Sequence, residues 1–550
     1  MKKRTSDGRG GEVLPAYIPN EIRRERITTT RFGGLASMGN GYGDSLFSMS
    51  NLSPRCAPAL ATRKKHGVFF TSRVGGTPHG MTMFGDVVVF AQGSGLYCVD
   101  RKDQTLRLIG NLSDTDKQFY VFGERLYIFP DKVYLEEACN GAFPMVVDTG
   151  VIPQCDFNAY TVTLPEGYKW SDWGFQVGDC LHIVNEDDPN PAPEGYYRLT
   201  EVRGRIATTL TPFFTTDKCD ARFRREIPDL DRVCVNGRRV YGVAGKELYI
   251  SAEGCPMDFY SLGVADGRGP ARLHSDTQGS FTACVPWQGY VVCFKRDRIC
   301  KLLGTRADTF ELQEVKAVGT PKELSATVCE LAGYLYYASD SGVYRYRGQY
   351  PERIAPSLGQ SIAAGCGGTD GLSYYVALRS EEAVSSVPIL IYAPDPGAWY
   401  TTDNRSVPCM MGANGFLWMQ DEMGNIRVTS SDGRDAGYPP DSFPLVAVAE
   451  LETDRFEPDA CRPLSVCIRA TGAAGSILLL GVQYMGAEKL SGGEYDPTLF
   501  TASLEGDATE QLWRVALPPR TCDQVRIRLS LLGEWVIHSV TREYGRVERM

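Results

Sequence analysis

Short apolar stretches separated by tight polar turns recur along most of the chain. In CELAGYLYYASDSGVYRYRG (329–348), two apolar runs flank a turn, and each run has the length of a β-strand. Stretches at 81–100, 119–137, 233–253 and 284–304 share its order of a short strand, a turn glycine, an apolar strand, a polar turn and a further strand. The pattern predicts repeated antiparallel hairpins.

Two looser copies, at 368–400 and 411–430, bring the number of units to seven. Their turn glycines are Gly85, Gly123, Gly237, Gly289, Gly333, Gly371 and Gly415, which are separated by 38, 114, 52, 44, 38 and 44 residues. Apart from one long step, this is the spacing of propeller blades, which recur about every 40 to 50 residues. Because small sheets bury their apolar faces by packing in a ring, the repeat predicts a seven-bladed β-propeller. An open run of hairpins in a β-sandwich is the alternative.

The long step and the end of the chain predict two further domains. The 114-residue step exceeds one blade by about 70 residues, and its segment 175–214 has the order strand, acidic Pro-rich loop, strand, turn, strand, which is typical of a small inserted β-barrel. After residue 440 the repeat stops and alternating strands follow, which predicts a C-terminal β-sandwich. The predicted boundaries are an N-terminal arm at 1–67, the propeller at 68–138 and 226–440, the barrel at 139–225 and the sandwich at 441–550.

Composition agrees with several β-domains and narrows the classes of function. The chain has 550 residues, of which 43% are hydrophobic, and 58 glycines and 32 prolines favour strands joined by turns. A net charge of −9, with no basic block beyond residues 63–65, argues against sequence-specific binding of nucleic acid. No apolar run reaches the roughly 20 residues of a membrane span, and no apolar segment follows the basic N-terminus. We therefore expect a protein that is made and kept outside the secretory route.

Candidate chemistry is sparse. Seventeen cysteines without a CxxC pair, and only five histidines, predict buried reduced thiols and no metal site. No nucleophile elbow, P-loop, zinc-protease or dinucleotide motif occurs, so we expect neither an enzyme nor a cofactor; GNGYG (39–43) does not lie between a strand and a helix. The acidic run Glu186–Asp188 favours a solvated loop over a calcium site. His79 and His274 are expected to be hydrogen-bonded structural residues.

Both ends of the chain contain phrases that resemble one known family. FGGLASMGNGYGDSLFSMSNLSPRCAPALATRKKHG (32–67) resembles the N-terminal signature of bacteriophage tail or neck stabilisation (nozzle-like) proteins, and LPPRTCDQVRIRLSLLGEWVIHSVTREYGRVER (517–549) is similar to their ending. LSDTDKQFYVFGERLYIF and GYVVCFKRDRICKLLG continue the resemblance between these ends. The matching residues are Gly34, Leu35, Met49, Asn51, Leu52, Ser53, Pro58, Ala59, Leu60 and Arg63, and then Pro519, Arg520, Cys522, Asp523, Arg526, Arg528, Leu529, Gly533, Arg542 and Glu543.

This resemblance implies a structural virion protein made in the cytoplasm of the bacterial host. It implies a ring of several copies, a hexamer being one such ring, that extends or seals the DNA channel below the portal. The implied partners are other copies of the chain, the portal or adaptor and other tail proteins, with DNA passing through the channel without sequence-specific binding. The cysteine-rich blades and the acidic insert depart from the family's pattern, so they leave the identity of the partners open.

Two short segments are the candidate assembly site. They are the basic arm residues Arg23, Arg24, Arg26 and Arg31, and the run Asn51, Leu52, Ser53 and Pro54. The arm is expected to order only on assembly, and the alternative for it is a disordered basic tail. A different function, binding of a host glycan as a receptor, would use Trp170, Trp173 and Trp399 as a stacking platform, although such aromatic residues more often lie in a core. A virion-borne depolymerase is the third class.

Overall fold

The computed structural model describes residues 23–35, 44–184, 192–214, 218–355, 362–380, 388–442, 444–452, 456, 460–486, 499–506 and 509–547. Within these ranges the regular structure is almost all β-strand, with short 3₁₀ turns at Pro54–Cys56, Trp170–Trp173 and Lys322–Thr327. The predicted all-β class is confirmed. The chain forms two compact units, a large unit, Phe32–Ala449, and a terminal unit, Met1–Arg31 with Glu450–Met550. The first 67 residues, predicted as one arm, are therefore divided between the two units.

Seven four-stranded antiparallel sheets, numbered in chain order, make up most of the large unit. Their strands are Pro78–Phe84, Val87–Gln92, Gly95–Asp100 and Leu106–Asn111 (sheet 1); Gln118–Phe122, Arg125–Phe129, Val133–Glu136 and Ala142–Pro144 (sheet 2); Arg232–Asn236, Arg239–Ala244, Glu247–Ile250 and Ala271–His274 (sheet 3); Ala283–Trp287, Tyr290–Phe294, Arg298–Leu303 and Glu311–Lys316 (sheet 4); Cys329–Leu331, Tyr334–Ser339, Gly342–Tyr346 and Glu352–Ala355 (sheet 5); Ile362–Thr369, Tyr374–Ser380, Pro388–Ala393 and Ala398–Asn404 (sheet 6); and Cys409–Ala413, Phe416–Gln420, Ile426–Thr429 and Gly67–Phe70 (sheet 7).

All seven predicted turn glycines lie between the first and second strands of these sheets, and all seven have positive φ. In sheet 4 the two turn residues, Gln288 and Gly289, have φ values of 47° and 80°. Two-residue hairpins favour such turns because their twist matches that of the flanking strands, and glycine adopts positive φ without a steric penalty. The repeated glycine therefore marks a hairpin turn in each sheet.

Neighbouring sheets bury their apolar faces against each other. One apolar cluster joins sheets 4 and 5, where the rings of Phe294 and Tyr337 lie 5.0 Å apart. Another joins sheet 7 to sheet 1 through Phe69, Phe90 and Trp418. Further clusters join sheets 1 and 2, 2 and 3, 3 and 4, and 5 and 6. The first strand of sheet 7 also contacts the first strand of sheet 1, so the series returns to its start.

A closed six-stranded barrel follows sheet 2 in the chain. Its strands, in order around the barrel, are Val147–Asn158, Thr161–Thr163, Ile206–Thr209, Gly195–Arg203, Cys180–Val184 and Lys218–Arg225. Its core holds Trp170 and an edge-to-face pair of Phe157 and Phe213 at 5.3 Å. The acidic run Glu186–Asp188 lies outside the described residues.

Two antiparallel sheets form the terminal unit. One contains, in order, Gln511–Ala516, Ala460–Gly472, Trp535–Val547 and Arg23–Thr29, and the other contains Gln524–Leu532, Ile477–Met485 and Phe500–Ser503 in that order. Buried and partly exposed residues alternate along Gln524–Leu532, as expected for a strand with one face in a core. The remaining described strands are Phe32–Leu35, Asp44–Leu46, Ser48–Ser50, Leu52–Ser53, Leu60–Thr62 and Val446–Glu452.

Candidate assembly site

The arginine-rich arm contributes a strand to the terminal unit. Arg23–Thr29 pairs antiparallel with Trp535–Val547, with Arg24 opposite Gly545 and Arg26 opposite Glu543. The side chains of Arg24 and Arg26 are exposed, as is Arg31 just beyond the strand. Residues 23–29 therefore have a defined place within their own chain, which differs from the expectation of a strap that orders only on assembly.

Polar contacts fix this strand at its C-terminal end. Buried Arg542 donates from Nη2 to the Thr29 hydroxyl at 3.0 Å, and the hydroxyls of Thr28 and Thr541 lie 3.0 Å apart. Arg542 is among the residues that carry the family resemblance, and its role here is internal. The strand is thus held by a buried cation as well as by its backbone ladder.

Acidic and basic side chains lie next to each other on the sheet that contains the arm strand. The carboxylate of Glu543 accepts hydrogen bonds from Ser465 Oγ at 2.6 Å and from Arg514 Nη2 at 2.7 Å. These hydrogen bonds, and the positive charges of Arg514 and Arg26, hold the pKa of Glu543 below its ordinary value. The single negative charge of Glu543 faces two positive charges, those of Arg514 and Arg26. This part of the sheet therefore has a surplus of exposed positive charge, although the whole chain has a net charge of −9.

The second predicted segment lies in the large unit and is mostly buried. Asn51 has φ of 58°; its backbone N–H donates to Thr401 at 2.9 Å, and its side-chain amide donates to the Val446 carbonyl at 2.9 Å. Its amide oxygen accepts from Arg63 Nε at 2.8 Å. Leu52 is fully buried. These contacts make the segment an internal clasp rather than a surface for a partner.

Ser53 and Pro54 complete this clasp. The Ser53 hydroxyl donates to the Ser431 carbonyl at 2.6 Å and accepts from the Arg55 backbone N–H at 3.3 Å, which caps the 3₁₀ turn Pro54–Cys56. The polar groups of the segment therefore have partners inside the large unit. The two predicted segments fall in different compact units, the arm in the terminal unit and residues 51–54 in the large unit.

A cavity of about 450 Å³ lies among the first strands of several sheets of the large unit. It is lined by residues at or near the first strands of sheets 1, 2, 3, 6 and 7, by Ala377 and Arg379 of the second strand of sheet 6, and by the turn Lys322–Thr327. Its charged lining residues are His79, Asp116, Lys117, Arg232, Lys322, Glu323 and Arg379. Mixed charges of this kind suit a polar segment of polypeptide better than an apolar ligand.

Within this cavity His79 and Arg232 have different partners. His79 lies 2.6 Å from Asp114 through Nε2 and 3.2 Å from Asp116 through Nδ1. Arg232 donates from Nη2 to Ser325 Oγ at 2.6 Å, and burial lowers the pKa of its guanidinium. Of the lining residues, only His79 could be singled out from the sequence, since they come from separate strands and no local motif joins them.

The remaining residues that were singled out from the sequence are one histidine and three tryptophans. His274 is exposed and lies 2.6 Å from Glu247 through Nδ1. Trp170 and Trp399 are buried at 0% and 3% exposure and donate to backbone carbonyls, so the predicted stacking platform is wrong for both. Trp173 is partly buried against Tyr168. Among the described residues, no group of three metal-ligating side chains is found, and no helix is both long and apolar enough to cross a membrane.

Comparisons with known proteins leave the family open. No protein-family model matches the chain, and no curated protein matches it, so the resemblance to phage tail and neck proteins stays a prediction. The chain is similar to the computationally designed Ika8 protein (TM-score 0.36, 10% identity, 66% of this chain and 99% of that one). It is also similar to BamB from Moraxella catarrhalis, with a TM-score of 0.33 and 10% identity over 69% of this chain and 94% of that one. For the Pan2 WD40 domain of Neurospora crassa the TM-score is 0.34 and the identity 8%, over 68% of this chain and 96% of that one.

Proposed function

We propose that this protein is a structural component of a bacteriophage tail or neck, and that several copies form a ring around the DNA channel below the portal. In this proposal the seven sheets are the blades of a propeller, the six-stranded barrel is an inserted domain and the terminal unit is a β-sandwich. The protein would be made in the host cytoplasm and incorporated into the virion, and it would have no catalytic role.

The propeller interpretation rests on the packing of consecutive sheets. Each apolar cluster is shared by two neighbouring sheets, and sheet 7 packs on sheet 1 through Phe69 and Trp418. Gly67–Phe70, from the N-terminal side, is the outer strand of sheet 7 and pairs with Ile426–Thr429. In a propeller, a strand from the other end of the domain closes the ring through backbone hydrogen bonds, and the repeated sheets leave only short edges exposed.

The observation that carries the proposal is where the residues of the family resemblance lie. Gly34 has φ of 83°, and a Cβ there would lie 2.6 Å from the Trp399 carbonyl oxygen. Asn51 and Arg63 bond to each other, and Ser53 bonds to Ser431. In the terminal unit Arg526 pairs with Glu452 at 2.6 Å. Several residues that match the phage family's phrases therefore make contacts that depend on their residue type.

Charge supports passage of DNA without retention. The chain carries 67 acidic and 58 basic residues, and tight binding to phosphates needs a surplus of lysine and arginine. The exposed arginines Arg24, Arg26 and Arg31 are then available to an acidic surface on a neighbouring copy or on another tail protein. Assembly through such surfaces would place several rigid wedges around a common axis.

Electron microscopy of the full-length protein mixed with the portal and adaptor of the same phage tests this function. We expect ring-shaped particles seated on the portal-adaptor complex. Portal complexes that remain bare at micromolar protein would contradict the proposal. Glycan arrays probed with the same preparation test the receptor alternative. Two of the three tryptophans of its predicted stacking platform, Trp170 and Trp399, are buried.

A further inference from the structure

Two buried cysteines face each other in the terminal unit. Cys461 lies in the strand Ala460–Gly472 of one sheet, and Cys522 lies just before the strand Gln524–Leu532 of the other. Their backbones exchange two hydrogen bonds, from Cys461 N–H to the Cys522 carbonyl at 2.7 Å and in the opposite direction at 2.9 Å. The pair thus forms an isolated antiparallel bridge between residues that are 61 positions apart.

The two thiols are placed for a disulfide. Their sulfur atoms lie 3.6 Å apart, and both residues are at most 1% exposed. Directly opposed residues that exchange two backbone hydrogen bonds have Cα atoms about 5.5 Å apart. Natural disulfides mostly span Cα separations of about 4.4 to 6.8 Å, so a small movement of the sulfur atoms is enough to form the bond.

The nearby Cys467 provides a contrast. It lies on the same strand and is more exposed than Cys461, yet it has no thiol opposite it in the register, where Arg514 and Thr541 are its partners. If exposure alone decided oxidation, Cys467 would react first. Geometry instead favours the buried pair.

The pKa values of the two thiols are shifted in opposite directions. The hydrogen bond from Cys522 lowers the pKa of the Cys461 thiol, whereas the hydrogen bond to Cys461, together with burial, raises the pKa of Cys522. The Cys522 thiol also donates to the Cys461 carbonyl at 3.7 Å, so Cys522 keeps its proton and Cys461 is the better placed of the two to act as the thiolate nucleophile.

We propose that Cys461 and Cys522 are a site of reversible oxidation, at which a small peroxide converts the two thiols into a disulfide that joins the two sheets of the terminal unit. The Cys461 thiolate attacks one oxygen of hydrogen peroxide, the O–O bond breaks, and hydroxide leaves. The sulfur of Cys522 then attacks the resulting sulfenic acid, an S–S bond forms and water leaves. In total two thiols and one peroxide give one disulfide and two molecules of water.

Such a bond would form when the chain passes from a reducing cytosol to an oxidising medium. It would close a loop of 61 residues and restrict the unfolded state of the terminal unit. The inference does not rest on the proposed function, since it needs only the fold of the terminal unit.

Mass spectrometry of the full-length protein tests the proposal. The reduced protein is treated with hydrogen peroxide, free thiols are alkylated, and a tryptic digest is analysed without reduction. Trypsin does not cut before Pro463, so Cys461 and Cys467 share the peptide 456–469, and fragmentation must assign the linked sulfur. The Cys467→Ser variant removes this ambiguity.

We expect a peptide that links Cys461 to Cys522 to form on oxidation, to persist in Cys467→Ser, and to disappear with dithiothreitol. The oxidised protein should also unfold at a higher temperature than the reduced protein. In Cys522→Ser, dimedone should trap a sulfenic acid at Cys461. Alkylation of Cys461 and Cys522 at undiminished yield, while Cys467 is oxidised, would overturn the proposal in the unmutated protein, whether or not the variants fold.

Discussion

Arg225 and Asp179 form an ion pair of 2.6 Å in the barrel, and their side chains are 1% and 3% exposed. The guanidinium also donates to the carbonyls of Met145, Gly174 and Pro144, so one cation fixes two segments of backbone. Desolvation of the Asp179 carboxylate raises its pKa although Arg225 opposes the shift. The pair ties the barrel strand Lys218–Arg225 to the segment that leaves sheet 2.

Removing one partner of this pair should destabilise the protein strongly. Asp179→Ala would leave the buried guanidinium without a counter-charge, and such changes cost about 3 to 5 kcal/mol. Glu201→Ala is the matched control, because Glu201 and its partner Arg203 are 46% and 83% exposed. Exposed pairs contribute about 0 to 1 kcal/mol. Thermal unfolding should show a large loss for Asp179→Ala only, and equal midpoints would contradict the buried-pair account.

The close approach of Gly34 to Trp399 predicts a difference between two glycines. Both Gly34 and Gly85 have positive φ, which costs a residue with a Cβ about 1 to 2 kcal/mol. A Cβ at Gly34 would also lie 2.6 Å from the Trp399 carbonyl oxygen, whereas nothing lies within 4 Å of one at Gly85. Gly34→Ala should therefore lower the free energy of unfolding by more than Gly85→Ala, as measured by denaturant titration. Equal losses would mean that the Trp399 contact is not tight.

Loss of the Asn51 side chain should lower stability more than relief of its positive φ raises it. Asn51→Ala removes an acceptor of buried Arg63 and a donor to Val446, and it keeps a residue with a Cβ at φ of 58°. Asn51→Gly loses the same hydrogen bonds but accepts this φ freely. Hydrogen bonds to charged groups contribute about 1.5 to 3 kcal/mol, so both variants should lose stability, with Asn51→Gly slightly less affected. A neutral Asn51→Gly would contradict a clasp made by the side chain.

Acid should weaken the barrel through Asp148. Hydrogen bonding from Arg222, and to a smaller extent from the Gly150 backbone and Arg224, holds the pKa of Asp148 well below its usual range. A lowered pKa in the folded state gives stability that is present above the ordinary carboxyl pKa of about 4 and is lost as the pH falls below it. Asp148→Asn should therefore lower the thermal midpoint at pH 7 and shrink its fall between pH 5 and pH 2. An unchanged pH profile would contradict this assignment.

The exposed arginines of the arm should affect assembly and not folding. Arg24→Glu with Arg31→Glu reverses two exposed charges, since Arg24 lies opposite Gly545 and Arg31 lies beyond the paired strand Arg23–Thr29. We expect loss of ring formation with an unchanged thermal midpoint, as measured by light scattering and calorimetry. Arg203→Glu, on the barrel and 83% exposed, is the control for a nonspecific charge effect. Equal assembly by both variants would contradict a role of the arm in contacts between subunits.

Local features of this protein could be predicted from its sequence. The turn glycines, from Gly85 to Gly415, lie where the pattern placed them, because a two-residue hairpin needs positive φ at fixed positions. The strands of the barrel at Cys180–Val184 and Gly195–Arg203 also follow the predicted order around the acidic loop. These features depend on residues that are close in sequence.

Contacts between distant segments could not be predicted in the same way. Gly67–Phe70 completes sheet 7 more than 330 residues before its partner strand Ile426–Thr429, and no local pattern indicates this. Asn51 was predicted to take part in assembly, because its positive φ and its contacts with Thr401 and Val446 cannot be read from the sequence. Cys461 and Cys522 likewise meet only in the folded terminal unit.

Native mass spectrometry of the full-length protein, alone and with its portal and adaptor, tests the central claim most directly. The chain has a mass of 60.6 kDa, so each closed ring has a distinct multiple of this value. We expect one defined multiple, either in the free protein or when the portal-adaptor complex is added. A chain that remains a monomer in both conditions would contradict the proposed role as a ring around the DNA channel.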